Sequence, residues 1–399
     1  MQSNEAKKNV AKKLRDHVLQ PMKQTFVGKD EVIELLGVSL VARENLFILG
    51  PPGTAKSALV QDMAARIQGR VFDYLLTRFT EPNEIFGPFD IRKLKEGTLV
   101  TNTEGMLPEA TFVFLDELLN ANSAILNSLL MVLNERIFRR GRETLSLPTM
   151  MVVGASNHLP EDESLRALFD RFLLRVNCVN VPEDSLTDVL RAGWRFESRK
   201  QAPPAVSIEE ISEIQQAIND VQFDSVTERY VDLVRNLRQA GIEISDRRAV
   251  KLQRMIAASA LMCGRLKAHV SDLWVLRYIW DTVEQQEILD AIVNRAIEPK
   301  SSDEDSNEDS ETGETDVVTH TLASPNRGPD PERLAADLEK IARAVDSPTA
   351  QPDNANSERS ILKEQLAVLA GQLQWVDDQQ QRDHLQTQVD QLWKNLEDE

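Results

Sequence analysis

In the stretch FILGPPGTAKSALV, Phe47 to Val60, Lys56 and Ser57 stand side by side at the start of an alanine-rich run, just past a turn that opens at Gly50. A glycine-rich turn between a strand and a helix aims backbone N–H groups at one point, and the positive end of the helix dipole adds to their pull on an anion. Phosphate is the expected guest. Lys56 would then lie on the β and γ phosphates of a nucleotide and the Ser57 hydroxyl on Mg²⁺. The cradle is Gly50, Pro51, Pro52, Gly53, Thr54, Ala55, Lys56, Ser57 and Ala58. In the strict pattern G-x-x-x-x-G-K-[ST] a glycine stands where this chain has Ala55, so a plain strand-to-helix turn with an exposed lysine stays open on these residues alone.

A second run, TFVFLDE, Thr111 to Glu117, ends in two adjacent acids. Carboxylates at the carboxyl end of a parallel strand face the crevice where ligands bind. Asp116 can hold Mg²⁺ through water, and Glu117 can polarise an attacking water. Either acid alone could instead cap a helix beginning near Asn120; the pair beside a phosphate loop favours an ATPase.

These residues need a scaffold. Helical spacing runs from Asn9 to Met22 and again from Asp30 to Val41. Beyond them, apolar runs at Leu46–Leu49, Val71–Leu76, Thr111–Leu115, Met150–Ala155 and Phe172–Val176 alternate with helical patterns. That rhythm predicts an α/β fold, a parallel sheet sandwiched by helices, over residues 1–182. Residues 183–298 carry no strand-like run and read as an α-helical lid. An acidic linker spans 299–330: Ser301 to Asp316 holds eight acids and no base. From 331 to 399 the chain is helical and coiled-coil-like, with Leu362, Leu366, Leu369, Leu373 and Val376 in one phase and Leu385, Val389, Leu392 and Leu396 in another. A helical hairpin or a partner-docking element fits this region.

The chain of 399 residues has a net charge of −18, which disfavours nucleic acid or an anionic membrane as the main partner. Two distant cysteines, Cys178 and Cys263, argue against a disulfide framework or zinc site and fit a reducing cytoplasm. No run reaches the roughly 18 apolar residues of a membrane span.

With these motifs together the chain resembles the AAA+ P-loop ATPases, and within them the MoxR family, especially its RavA-like branch, over about residues 25 to 285. GPPGTAKS is similar to the MoxR form of Walker A, alanine included, and FVFLDE looks like Walker B. VVGASNHLPE, Val152 to Glu161, resembles the sensor-1 strand, which implies that Asn157 helps orient water. ALFDRFLLR, Ala167 to Arg175, resembles the segment of the arginine finger, mapped to Arg171. ISDRRAVKLQRM, Ile244 to Met255, resembles the sensor-2 helix of the lid, with Arg247 at the matching position and Arg248 a close rival. The resemblance adds Val27 and Gly28 to the nucleotide-binding residues. It also marks two insertions, a Gly-rich, strand-like one within Thr80 to Ala110 and a hairpin within Asn134 to Pro148 around Gly141, that in relatives face the central pore or its rim.

The resemblance implies a ring, six subunits in relatives, with ATP and Mg²⁺ as ligands and Arg171 reaching a neighbour's site. It implies chaperone-like remodelling, maturation or activation of a client protein complex beside a von Willebrand factor A domain protein. Other readings stand next to these. Arg171 could pair with Asp170 or Glu163, and Arg247 could be an ordinary surface charge. The chain could be a nucleotide-dependent scaffold that recruits through its C-terminal helices, or a DNA motor using the basic run Arg136 to Arg142, which the net charge disfavours.

Overall fold

The computed structural model describes residues 9–95, 100–140, 143–160, 162–198 and 204–298, with six further helical positions at 338, 342, 385, 388, 389 and 392. The linker and nearly all of the C-terminal region, Trp375 and Trp393 included, lie outside the described residues. Four of the six positions, Leu338, Leu385, Val389 and Leu392, are buried. The chain divides into two units, Met1–Glu304 and Asp305–Glu399; the core and the lid both belong to the first.

Helix α1 is helical from residue 9, passes through a π-type segment, Arg15–Leu19, and ends with Gln20–Thr25. Helix α2, Asp30–Ala42, carries two acids in its first turn, where the dipole favours them, and leads into β1, Leu46–Leu49. Then come α3 (Lys56–Arg66), β2 (Val71–Leu75), α4 (Pro82–Phe86), α5 (Ile91–Lys95), β3 (Phe112–Asp116) and α6 (Ser123–Glu135). The hairpin β4 (Ile137–Arg140) and β5 (Glu143–Ser146) precedes β6 (Met151–Ser156), α7 (Glu163–Phe169) and β7 (Leu174–Asn177).

Five strands form one sheet in the order β2-β3-β6-β1-β7, every neighbouring pair parallel. Its central strands bury on both faces, as helices packed on each side require; β6 is buried at all six positions. The expected sheet is therefore present, with ends shifted by a residue or two. The last strand starts at Leu174 rather than Phe172, because Phe172 and Leu173 are buried within the turn that enters it. The helix after the acid pair starts at Ser123, since the Asn122 side chain accepts from the N–H groups of Ala124 and Ile125 and caps it there. The first insertion is not strand-like: α4 and α5 are short helices, and the Phe89–Thr101 bridge is the one described antiparallel contact. The expected hairpin is present, with its tip outside the described residues, and Phe138 stacks on Phe86 at 4.6 Å, so the two insertions touch.

After the sheet come the helices α8 (Leu186–Glu197), α9 (Ile208–Ala217), α10 (Thr227–Gln239), α11 (Asp246–Met262) and α12 (Glu284–Ile297), with a 3₁₀ segment, Val270–Tyr278, before the last. Leu273, Val275 and Leu276 of that segment, and Trp280 just beyond it, are buried, which makes this stretch part of the helical core. Among the described residues no helix is long and apolar enough to cross a membrane.

Candidate functional site

The turn after β1 is held from both sides. Gly50 N–H donates to Ser156 O at the end of β6 (2.9 Å), and Cys178 N–H, just past β7, donates to Leu49 O (2.7 Å). A side-chain carbon on Gly50 would sit 2.1 Å from the Cys178 carbonyl oxygen, so only glycine fits there. The Cys178 thiol donates to Thr54 O and the Thr54 hydroxyl to Pro51 O, which fixes the loop's far side. Gly53 takes φ +83° and Ala55 φ +66°, both left-handed. Lys56 is buried, and its ammonium donates to Gly50 O and Pro51 O, each at 2.9 Å. The ammonium is held by carbonyl acceptors and, among the described residues, pairs with no carboxylate, so its positive charge stays available to a phosphate group.

Strand order assembles the rest. β6 lies between β1 and β3, so Asn157, exposed in the bend after β6, stands between the loop and the acids that end β3. Asp116 accepts the Glu117 N–H at 3.0 Å. Glu117 adopts φ +50°, uncommon for a residue with a side chain, and turns the chain out of the strand into the 3₁₀ turn Leu118–Asn120. Val27 and Gly28 reach the same end: Lys29 donates to Val179 O, and Gly28, at φ +68°, packs against Val181, just beyond Cys178. The Ser57 hydroxyl and the Asp116 carboxylate are hard oxygen donors of the kind Mg²⁺ takes.

Two of the expected residues lie elsewhere. Arg171 precedes β7, at the amino end of the sheet. Lys251, one turn beyond Arg247 on α11, pairs with Glu44 at 2.9 Å, and Arg254 approaches Ala42 O at 3.4 Å. Glu44 and Ala42 lead into β1, whose other end opens the phosphate loop; four strand residues separate the two ends by about 13 Å. Arg247 therefore stands with Arg171 and apart from Lys56. A cavity of about 570 Å³ opens there, lined by Arg166, Asp170 and Arg171 of the core and Arg247, Arg248 and Lys251 of the lid. The Arg171 Nε is buried without a hydrogen-bond partner among the described residues. Its expected rival partner Asp170 instead lies 3.9 Å from Arg175. Arg248 is committed to the lid, donating to Glu243 O and Ile279 O and pairing with Asp281 at 3.2 Å, whereas Arg247 is exposed.

A family model described as the MoxR domain of the MoxR-vWA-beta-propeller ternary systems matches residues 12–216, and an AAA lid model matches 211–293. The chain belongs to the MoxR family of AAA+ ATPases. Two uncharacterized proteins of Methanocaldococcus jannaschii are 35% and 32% identical, each over 70% of this chain and over 73% and 80% of their own lengths. The chaperone MoxR1 of Mycobacterium tuberculosis is 28% identical over 45% of this chain and 48% of its own. A crystal structure of a proposed ATPase from Cytophaga hutchinsonii shares the fold, with a TM-score of 0.62 at 21% identity over 73% of this chain and 96% of that one.

In this MoxR-family chain the joint between core and lid rests on a residue the sequence reading passed over. Arg175 is fully buried in β7, donates to Ile279 O and Trp280 O, lies 2.8 Å from the Asp281 carboxylate and covers the Phe169 ring at 4.2 Å. Burial draws its guanidinium down to about 9, with Arg248 adding to the push and Asp281 and Asp170 opposing it; it is charged at neutral pH. A lone cation inside the apolar run FLLRV was the signal for it.

Proposed function

We propose that this MoxR-family chain hydrolyses ATP in a ring whose active sites are shared between neighbouring subunits. The observation that carries the reading is the split of the site. Lys56, Asp116, Glu117 and Asn157 gather at the carboxyl ends of the strands, while Arg171 and Arg247 stand together at the amino ends. Two arginines that far from their own phosphate loop can act on the nucleotide of the next subunit, and a contact joining two different faces closes into a ring when the rotation allows. Six subunits is the number proposed.

In the proposed division of labour the loop N–H groups and Lys56 bind the β and γ phosphates, Glu117 takes a proton from the attacking water and Asn157 orients that water. Ser57 and Asp116 would hold Mg²⁺, which supplies positive charge against the phosphate oxygens when bound. Arg171, with Arg247 beside it, offsets charge on the transferring group of the neighbour. The work done is proposed to be chaperone-like remodelling, maturation or activation of a client complex with a von Willebrand factor A domain protein. The matching MoxR-vWA-beta-propeller family and the chaperone relative support it. Placement in a RavA-like branch belongs to the same proposal, supported by the two insertions that meet at Phe86 and Phe138.

The test is the ATP turnover per subunit over a wide range of protein concentration with Mg²⁺ present, sized at each dilution. A rate that climbs and saturates with assembly is expected. Full turnover by a species sized as a monomer would overturn the shared site.

A further inference from the structure

Asn45 sits at the amino end of β1, almost wholly buried, and uses both ends of its amide. Its Nδ2 donates to Arg171 O at 3.0 Å and to Leu133 O at 3.2 Å, and its Oδ1 accepts from the Arg136 guanidinium at 2.6 Å. Each partner belongs to a different element. Arg171 forms the turn before β7, and Leu133 lies in the last turn of α6. Arg136 is the foot of the β4–β5 hairpin: it holds φ +53° as the cap of α6, and its carbonyl accepts the Leu147 N–H that closes the hairpin. Arg136 is itself buried, and burial draws its guanidinium down to about 10, with Glu44 opposing the fall and Arg43 adding to it.

We propose that Asn45 is a positioning residue that ties the foot of the β4–β5 hairpin to the backbone of Arg171 and so sets where that arginine points. The inference rests on the reading of Arg171 as the arginine offered to a neighbour's nucleotide. Only an amide meets the geometry. A carboxylate would accept from Arg136 but could give nothing to two carbonyls, and an apolar side chain would leave the buried guanidinium and both carbonyls short of a partner. The adjacent residue extends the joint, since Glu44 pairs with Lys251 on the helix that carries Arg247. A shift of the hairpin's foot is thereby transmitted by one short, nearly rotor-free side chain to Arg171. A displacement of about 1 Å at such a group is enough to cost a large part of its catalytic effect.

The experiment uses the full chain, with steady-state ATP turnover and particle size measured for Asn45→Ala, Arg171→Ala and the double variant. Asn45→Asp is the near-isosteric second variant, keeping the bond to Arg136 and losing the two donated ones. Asn45→Ala and Asn45→Asp are expected to lower kcat about tenfold, the loss of one well-placed interaction, with KM within about twofold and assembly retained. In the Arg171→Ala background, Asn45→Ala should change the residual kcat by less than about twofold, because the group it positions is gone. Arg136→Met should reproduce the loss and add nothing to Asn45→Ala. A tenfold loss that persists in the Arg171→Ala background would show a structural role and overturn the inference. So would full turnover by Asn45→Ala beside an inactive Arg171→Ala, which leaves the shared-site reading intact. Full turnover by Arg171→Ala itself would overturn that reading and this one together.

Discussion

Lys251 and Glu44 meet at 2.9 Å, and the contact fixes which end of the sheet the lid helix serves. It pins the N-terminal half of α11, and Arg247 with it, to the entrance of β1, on the same side as Arg171 and opposite the phosphate loop. In the proposed shared site, a subunit so built offers these two arginines to a neighbour's nucleotide.

Mixed assemblies test that arrangement directly. Arg171→Ala and Glu117→Gln should each be nearly inactive alone, the former by about a thousandfold. Combined in equal amounts with exchange of subunits, about a quarter of the contacts join an intact acid to an intact arginine, so turnover should return to about a quarter of the unmutated rate. Arg247→Ala should complement Glu117→Gln in the same way. Mixtures as silent as their components would mean that the arginines act within their own chain.

The phosphate loop carries a removable strain. Ala55 holds φ +66° and ψ +22°, a left-handed conformation that costs a residue with a side chain about 1–2 kcal/mol. Glycine would relieve it and lose about 0.4–1 kcal/mol through its freer unfolded chain. Ala55→Gly should therefore stabilise the protein by about 0.5 kcal/mol with nucleotide affinity kept, read from the midpoint of denaturant unfolding. A lower midpoint would mean that the Ala55 methyl contributes more by packing than its conformation costs.

The sheet and the loop were legible because each strand is an apolar run punctuated by a residue that ends it: Gly50 after β1, Asp116 closing β3, Asn157 after β6. Local sequence sets those features. The position of Arg247 was not legible, because helical spacing reveals α11 but not the end of the sheet against which Lys251 and Arg254 dock it. Asn45 and Arg175 escaped for a related reason. A polar residue bordering an apolar run looks like a strand terminus, and one inside it like an irregularity, until tertiary structure supplies the carbonyls and carboxylates that justify burying it. Within the first insertion, glycines suggested extended chain, yet Glu81 and Glu84 form a reciprocal cap that starts α4 instead.

Asp73 on β2 gives a pH-dependent signature. Partial burial raises its carboxyl above 3.8, the Gln61 hydrogen bond opposes this, and the charge of Asp116 adds to the rise. A raised carboxylate binds more protons folded than unfolded between its two pKa values, so its contribution to stability falls as pH rises through that window and the penalty is fully present at neutral pH. Asp73→Asn, which still offers Gln61 an acceptor, should raise the Tm at pH 7. The advantage should shrink as pH falls toward 4. Thermal melts of both proteins across that range measure it, and a gain that grew on acidification would contradict the assignment.

Arg175 is a fully buried charge in the joint between core and lid. Its guanidinium has no access to water and is held by two carbonyls and the Asp281 carboxylate, with the Phe169 ring beneath it and its Nε without a hydrogen-bond partner among the described residues. Replacing one partner of a buried pair destabilises by about 3–5 kcal/mol, because the other is left uncompensated. Asp281 keeps Arg248 at 3.2 Å and some exposure, so the cost of Arg175→Met should fall at the lower end, about 3 kcal/mol. The methionine also leaves the Trp280 carbonyl without its donor, which loosens the lid where it meets β7, while Ile279 O keeps Arg248. Denaturant unfolding should show the lower midpoint, and amide exchange should quicken at residues 279–281 more than in β6. An unchanged midpoint would mean that the buried charge contributes no net stability, its desolvation offsetting its contacts.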